Sequence, residues 1–216
     1  MSLKAKILDQ NYWDMQYISN NTGWDLGKVS PPIKFFIDTL EDKSTNILIP
    51  GCGNSYEAEH LLNEGFINIS VIDIAPTLVE NLQKKFHNNP NITILLGDFF
   101  EHHGEYDLII EQTFFCALSP TMREEYVKKM HQLLSDNGKL VGLLFNKTFE
   151  SGPPFGGSYS EYVQLFNNHF EFLQMNFCQS SIKPRANSEL FIEFKKKYFS
   201  FFKSISSRNT FFIYLC

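Results

Sequence analysis

The stretch ILIPGCGNSYEAEHLL, residues 47–62, decides the fold reading. An apolar run ends at Pro50, a Gly51-Cys52-Gly53 loop follows, and helical spacing of apolar residues begins at Tyr56. Strand, glycine loop and helix N-terminus together make a place where a ligand can lie against the backbone, facing unpaired N–H groups and a partial positive charge. A nucleotide, a dinucleotide and a sulfonium cofactor all use loops of this kind. A dinucleotide fingerprint requires a third glycine at position 56, where this chain carries Tyr56. That substitution weakens the pyrophosphate reading.

Outward from this loop, the chain alternates short apolar runs with longer amphipathic ones. NILIP (46–50), INISVID (67–73), NITILLGD (91–98), YDLIIEQ (106–112) and KLVGLLFN (139–146) read as buried strands. YEAEHLLNEG (56–65), TLVENLQKKF after Pro76, and SPTMREEYVKKMHQLL (119–134) read as the helices between them. The Asp136-Asn137-Gly138 turn separates the last helix from the fifth strand. Continuous apolar strands alternating with helices indicate a doubly wound α/β fold whose parallel sheet is covered on both faces. After the Gly/Pro loop SGPPFGGSYS come a helix at 160–170 and two runs, 170–177 and 189–194, suited to antiparallel edge strands. Ligands of such sheets sit outside the carboxyl ends of the strands.

The bulk numbers narrow the class. A chain of 216 residues fits one domain that buries roughly 70% of its surface. A net charge of −5 counts against nucleic acid, which favours a basic face. No apolar stretch reaches ~18 residues and MSLKAKILDQ has no signal-peptide core, so a cytoplasmic protein without membrane contact is expected. The cysteines at 52, 116, 178 and 216 have neither disulfide-framework nor zinc-ligand spacing, and no metal is expected.

The loops at the strand ends hold acids in a telling order. Asp73, at the end of the second strand, stands 20 residues after Gly53, where a carboxylate accepts from a ribose diol. Gly97-Asp98-Phe99 adds an acid and a ring suited to adenine, and Glu111 closes the fourth strand. Glycine loop, ribose acid, adenine acid and a further acid form the constellation of an S-adenosylmethionine site. The alternative, that Asp73 and Asp98 only cap strand ends, loses ground when both occur with the loop.

These residues resemble a known family. YWDMQYISNNTGWDLGKVSPPI (12–33), IPGCG (49–53), GDFF (97–100), YDLIIEQTFFCALSPTMREEYVKKM (106–130) and SGPPF (151–155) look like the thiopurine S-methyltransferase family, with its thiol and halide methyltransferases as the nearest branch. The likeness runs from about residue 10 to about 197. It implies a Rossmann-like class I fold, a mostly parallel seven-stranded sheet, and methyl transfer from S-adenosyl-L-methionine, leaving S-adenosyl-L-homocysteine. The domain reading is one unit over 1–197, with 1–42 as a helical cap over the cofactor and 198–216 as an extension of unassigned role.

Carried over position by position, the resemblance puts Trp13, Tyr17, Trp24, Gly51, Asp73, Asp98, Phe99 and Glu111 at the cofactor, with Gly53 completing the loop. Tyr17 and Glu111 depart from the pattern, which has tryptophan and aspartate there. Rings facing a sulfonium supply a cation–π field and exclude water. A soft anionic acceptor (thiolate, hydrosulfide or halide, with a thiopurine also open) needs proximity and a dry pocket rather than a strong base. Phe114, Phe155, Tyr159, Tyr162 and Arg185 are the acceptor-side candidates, with Lys183 and Arg185 placed to attract an anion. His102-His103 reads as a solvated loop and Cys116 as packing. The expected partner is a small molecule, and the chain a monomer or weak dimer. Two other classes stay open: a non-catalytic S-adenosylmethionine-binding protein and an NAD-dependent oxidoreductase.

Overall fold

Five apolar runs do become a parallel sheet. The structure, a computed structural model, describes residues 7–198. Its strands are β1 (Ile47–Pro50), β2 (Ile69–Asp73), β3 (Ile92–Leu96), β4 (Tyr106–Gln112), β5 (Leu134–Phe145), β6 (Phe170–Phe177) and β7 (Glu189–Lys196). The helices are α1 (Gln10–Ile18), α2 (Pro31–Asp38), α3 (Tyr56–Asn63), α4 (Pro76–Lys85), α5 (Arg123–Leu133) and α6 (Tyr159–Phe166). The strands form one seven-stranded sheet in the order β3-β2-β1-β4-β5-β7-β6. β1 to β5 pair in parallel, and β7 runs antiparallel between β5 and β6. The strand order reverses between β1 and β4, so their carboxyl ends open the crevice where ligands of doubly wound sheets bind. Of the extension noted over 198–216, residues 199–216 lie outside the described residues.

The pleat sorts the central strands into two cores. Ile47 and Ile49 of β1, Leu108 and Ile110 of β4 and Val141 and Leu143 of β5 face the α2–α3–α4 side with Ile33, Leu61 and Leu78. Leu48, Ile109 and Leu140 face the other side with Tyr126, Met130 and Phe166 of α5 and α6. This alternation fixes the direction of every side chain at the strand ends.

Two expected boundaries shift. The helix expected over 119–134 opens as a 3₁₀ turn, Pro120–Met122, with the Ser119 hydroxyl accepting from Thr121 N, and α5 starts only at Arg123. The fifth strand begins at Leu134 rather than Lys139. Leu134 pairs with Tyr106 and Lys139 with Leu108, so residues 135–138 bulge out between two paired positions. Asn137 takes the left-handed backbone of this bulge (φ +65°). Leu134 is almost wholly buried (1% exposed), and that burial keeps it in the sheet despite the turn sequence behind it. At the other end of the chain, α1 docks on the α4 side: Gln10 Nε2 donates to Ile74 O (3.1 Å) and Thr77 N to Asp14 Oδ1 (2.7 Å).

Candidate functional site

A cavity of about 910 Å³ opens at the carboxyl ends of β1, β2 and β4. Its floor is the glycine loop. Gly51 (φ +54°) and Gly53 (φ +51°) take left-handed conformations, and Ser55 follows suit at φ +54° as α3 begins. A Cβ on Gly51 would overlap the Phe114 ring, whereas one on Gly53 would meet only the Tyr17 hydroxyl at 3.7 Å. Gly51 is thus required by packing as well as by backbone, and Gly53 leaves open space facing Tyr17.

Asp73 is 8% exposed at the end of β2. Its Oδ2 accepts from Gly53 N (3.3 Å) and its Oδ1 from Ala75 N (3.0 Å). Burial pushes its carboxyl up to about 6, against the pull of these backbone N–H groups. Among the described residues no cation offsets that burial, so the carboxylate gains from any further donors a ligand brings. Asp98, exposed at the cavity wall, caps the short turn that follows by accepting from Phe100 N (2.9 Å). The Phe99 ring beside it meets Phe114 edge-on at 5.1 Å.

The N-terminal segment supplies the opposite wall. Trp24 stands edge-on to both Trp13 (5.7 Å) and Tyr17 (5.9 Å), and all three line the cavity. Burial first, then the nearby Asp73 charge, holds the Tyr17 hydroxyl in its neutral form well above the usual phenol range. Asp25 ties this wall to the floor: its Oδ2 accepts from Asn54 Nδ2 and from Tyr56 OH (3.3 Å), and its Oδ1 from Gly27 N (2.6 Å). Arg185 ties it to the far side, Nη2 donating to Trp24 O at 3.0 Å while Nη1 reaches Glu189 Oε1 at 3.4 Å. Tyr56, which stands where a dinucleotide loop would have glycine, serves in this latch.

The remaining wall is apolar and lies beyond β4. Thr113 turns out of the strand at φ +64°, a strained conformation for a β-branched residue. That turn aims Phe114 at Gly51 and brings Cys116 and Ala117 to the cavity, which Pro153 and Pro154 also line. Burial raises the thiols of both Cys52 and Cys116, which keeps them protonated. No histidine lines this cavity among the described residues.

The cavity therefore gathers Trp13, Tyr17, Trp24, Gly51, Gly53 and Asp73, together with Asp98, Phe99, Phe114 and Arg185. Five residues named from sequence lie elsewhere, one of them Lys183, in the 3₁₀ turn Lys183–Arg185 outside the cavity lining. Glu111 is wholly buried on the α5 side; Oε1 accepts from Phe114 N (2.8 Å) and Phe115 N (2.9 Å), and Oε2 from Tyr126 OH (2.6 Å). Burial pushes Glu111 up to about 7, despite these three donors. Phe155 packs its ring over Gly152 and donates its N–H to Cys116 O (2.6 Å), leaving Pro153 and Pro154 at the wall. Tyr159 is half exposed at the start of α6. Tyr162 is wholly buried, its hydroxyl donating to Phe145 O (2.7 Å).

Sequence reasoning passed over Asp25, Glu57 and Gln112, all at the cavity. Asp25 had a signal, an acid two residues before a glycine, which is the pattern of an Asx turn. Gln112 lines the cavity because it is pleated opposite to Glu111. Glu57 is buried in the first turn of α3, where it accepts from Ser30 N (3.2 Å); burial raises its carboxyl.

The sequence profile of the thiopurine S-methyltransferase family matches residues 8–200. The chain is 34% identical over 191 residues to a probable thiol methyltransferase 2 of Arabidopsis thaliana, covering 85% of this chain and 84% of that one. It is 26% identical over 198 residues to a thiocyanate methyltransferase 1 of Brassica oleracea, covering 88% and 87%. Among solved structures, a Burkholderia thailandensis 1,6-didemethyltoxoflavin-N1-methyltransferase with bound S-adenosylhomocysteine superposes with a TM-score of 0.67. The match covers 91% of this chain and 94% of that one; at 16% identity the likeness is one of fold.

Proposed function

This chain belongs to the thiopurine S-methyltransferase family of S-adenosylmethionine-dependent methyltransferases, and from that premise we propose that its acceptor is a small soft nucleophile: a thiolate, hydrosulfide or halide. The observation that carries the proposal is the acceptor wall. Phe114, Ala117, Pro153 and Pro154 make it apolar, Arg185 (paired with Glu189) and Lys28 are the cations lining the same cavity, and no histidine lines it among the described residues. An anion already deprotonated needs no base, only attraction, desolvation and alignment.

The residues present fit the cofactor. Asp73, buried and held by the backbone N–H groups of Gly53 and Ala75, would accept from the ribose diol. Phe99 would pack on the adenine, with Asp98 taking its exocyclic amine. The open backbone at Gly53 leaves room for the amino-acid end. When bound, the cofactor supplies an electrophilic methyl on a sulfonium. Trp13, Tyr17 and Trp24 would face that cation with their rings and exclude water from it. Arg185 would hold the incoming anion on the side of Pro153 and Pro154. Because the acceptor would arrive already anionic, none of these residues would have to move a proton.

The same reading makes 1–42, of which residues 1–6 lie outside the described residues, the cap of the cofactor site, and the chain a cytoplasmic monomer or weak dimer acting on small molecules. The net charge of −5 supports it over nucleic-acid binding. No helix among the described residues is long and apolar enough to cross a membrane.

An acceptor panel tests the proposal. Hydrosulfide, thiocyanate, iodide, a small thiol and a thiopurine are compared in the wild type and in Arg185→Gln. The proposal expects anionic acceptors to lead and to lose roughly tenfold or more in kcat/KM on loss of the cation, with neutral ones little changed. Preference for a neutral nitrogen or oxygen acceptor would refute it.

A further inference from the structure

Arg123 is an odd choice for its position. It is the first residue of α5, where a cation opposes the helix macrodipole, and it is only 6% exposed. Its Nε is buried without a hydrogen-bond partner, a further local cost. Residues that break local rules in this way are found where geometry matters more than stability.

Its contacts show what it holds. The guanidinium lies 4.9 Å over the Phe115 ring, within the turn that brings Phe114, Cys116 and Ala117 to the cavity. Nη2 donates to Gly156 O at 2.7 Å, in the loop that brings Pro153 and Pro154 to the cavity. Nη1 pairs with Glu161 of α6, whose side chain is 45% exposed. The loop itself is built tightly: a Cβ on Gly156 would overlap Lys147 O, and one on Gly157 would strike the Tyr162 hydroxyl. Phe155 N donates to Cys116 O and Gly157 N to Lys147 O (3.1 Å), so the two segments are joined by backbone as well as through Arg123.

We propose that Arg123 is a positioning residue that sets the separation of the two acceptor-side walls, Phe114–Ala117 and Pro153–Pro154, without touching cofactor or acceptor. A planar fork reaching two partners while its face lies on a ring fixes both distance and angle, which the single ammonium of lysine cannot do. The inference rests on the acceptor reading above for its kinetic consequence, though its structural consequence is independent of it.

The test uses Arg123→Lys and, as a milder second variant, Glu161→Gln. Site-resolved hydrogen exchange is expected to speed up about tenfold or more at the Phe155 and Gly157 amides in R123K, with Gly53 and Ala75 unchanged. In steady-state kinetics the acceptor KM rises about tenfold, while kcat and the S-adenosylhomocysteine Kd stay within about twofold. E161Q shifts the same quantities in the same direction by less, because the Gly156 contact remains. Unchanged exchange at Phe155 and Gly157 in both variants would overturn the inference, as would a cofactor Kd that weakens in step with the acceptor KM. A wild type that transfers to no soft nucleophile would overturn the acceptor reading instead, and the exchange result would still decide the role of Arg123.

Discussion

Glu111 offers the sharpest test of where the site ends and the scaffold begins. Its carboxylate is wholly buried and satisfies three donors: the amides of Phe114 and Phe115 and the Tyr126 hydroxyl. Glu111→Ala orphans all three, at about 1–3 kcal/mol each. Against this, the variant removes a buried charge whose pKa burial lifts from 4.5 to about 7, worth roughly 3 kcal/mol at pH above 7. The net loss expected is on the order of 3 kcal/mol, or about 6–12 °C in Tm for a chain of this size. Glu111→Gln keeps an oxygen for the two amides and turns its NH₂ toward a hydroxyl that can accept, so it should stay within about 1 kcal/mol of wild type.

The pH dependence separates these terms. Because folding raises the pKa of Glu111, the folded state binds more protons than the unfolded one between 4.5 and about 7, and stability falls as pH rises through that window. Wild type should therefore show this slope in denaturant titrations at pH 5 and pH 8, and E111Q should show less of it. Calorimetry with S-adenosylhomocysteine is the companion assay, with folded E111Q binding as wild type does. An E111A protein with wild-type stability and no cofactor binding would refute the reasoning and make Glu111 a cofactor ligand.

Other outcomes follow from the cavity. Asp73→Ala removes charge-assisted hydrogen bonds to the ribose and should weaken cofactor binding about 30-fold or more, read by calorimetry; wild-type affinity would refute the ribose role. With Asp73 titrating at about 6, wild-type affinity should be level above pH ~7 and fall up to about tenfold per unit below pH ~6, with proton release on binding there; Asp73→Asn should lose this slope. Gly51→Ala adds a strained left-handed residue, about 1–2 kcal/mol, to a ring overlap with Phe114. Lower stability and weaker cofactor binding together are expected, and a wild-type melt would contradict the packing argument.

How much of this was readable beforehand depends on the kind of signal. Strand and helix periodicity survives in a linear string, so the parallel sheet was legible, and so were strands at 170–177 and 189–194, although only the first is an edge and the second lies antiparallel inside the sheet beside β5. The glycine loop and Asp73 were legible because turn chemistry and spacing define them. Direction was not. Glu111 and Gln112 are adjacent, the pleat sends one to each face, and nothing in YDLIIEQTFF states which one meets the cavity. Gly142, opposite Glu111 in β5, was a faint clue: a Cβ there would collide with the Glu111 backbone and side chain. Tyr159 and Tyr162 fall outside the cavity lining for a related reason. α6 starts at Tyr159, which stands half exposed, and its turn carries Tyr162 inward to Phe145 O. Asp25 and Arg123 act through partners 29 and 38 residues away in sequence, a coupling that spacing alone does not reveal.

The central claim is methyl transfer to a soft nucleophile within the cavity, and a single-turnover reaction tests it most directly. Enzyme, S-adenosylmethionine carrying an isotopically labelled methyl, and hydrosulfide are mixed, and both products are quantified by mass. Labelled methanethiol and S-adenosylhomocysteine are expected in equal amounts. Cofactor that binds and stays intact with hydrosulfide, and likewise with thiocyanate, iodide and small thiols, would contradict it.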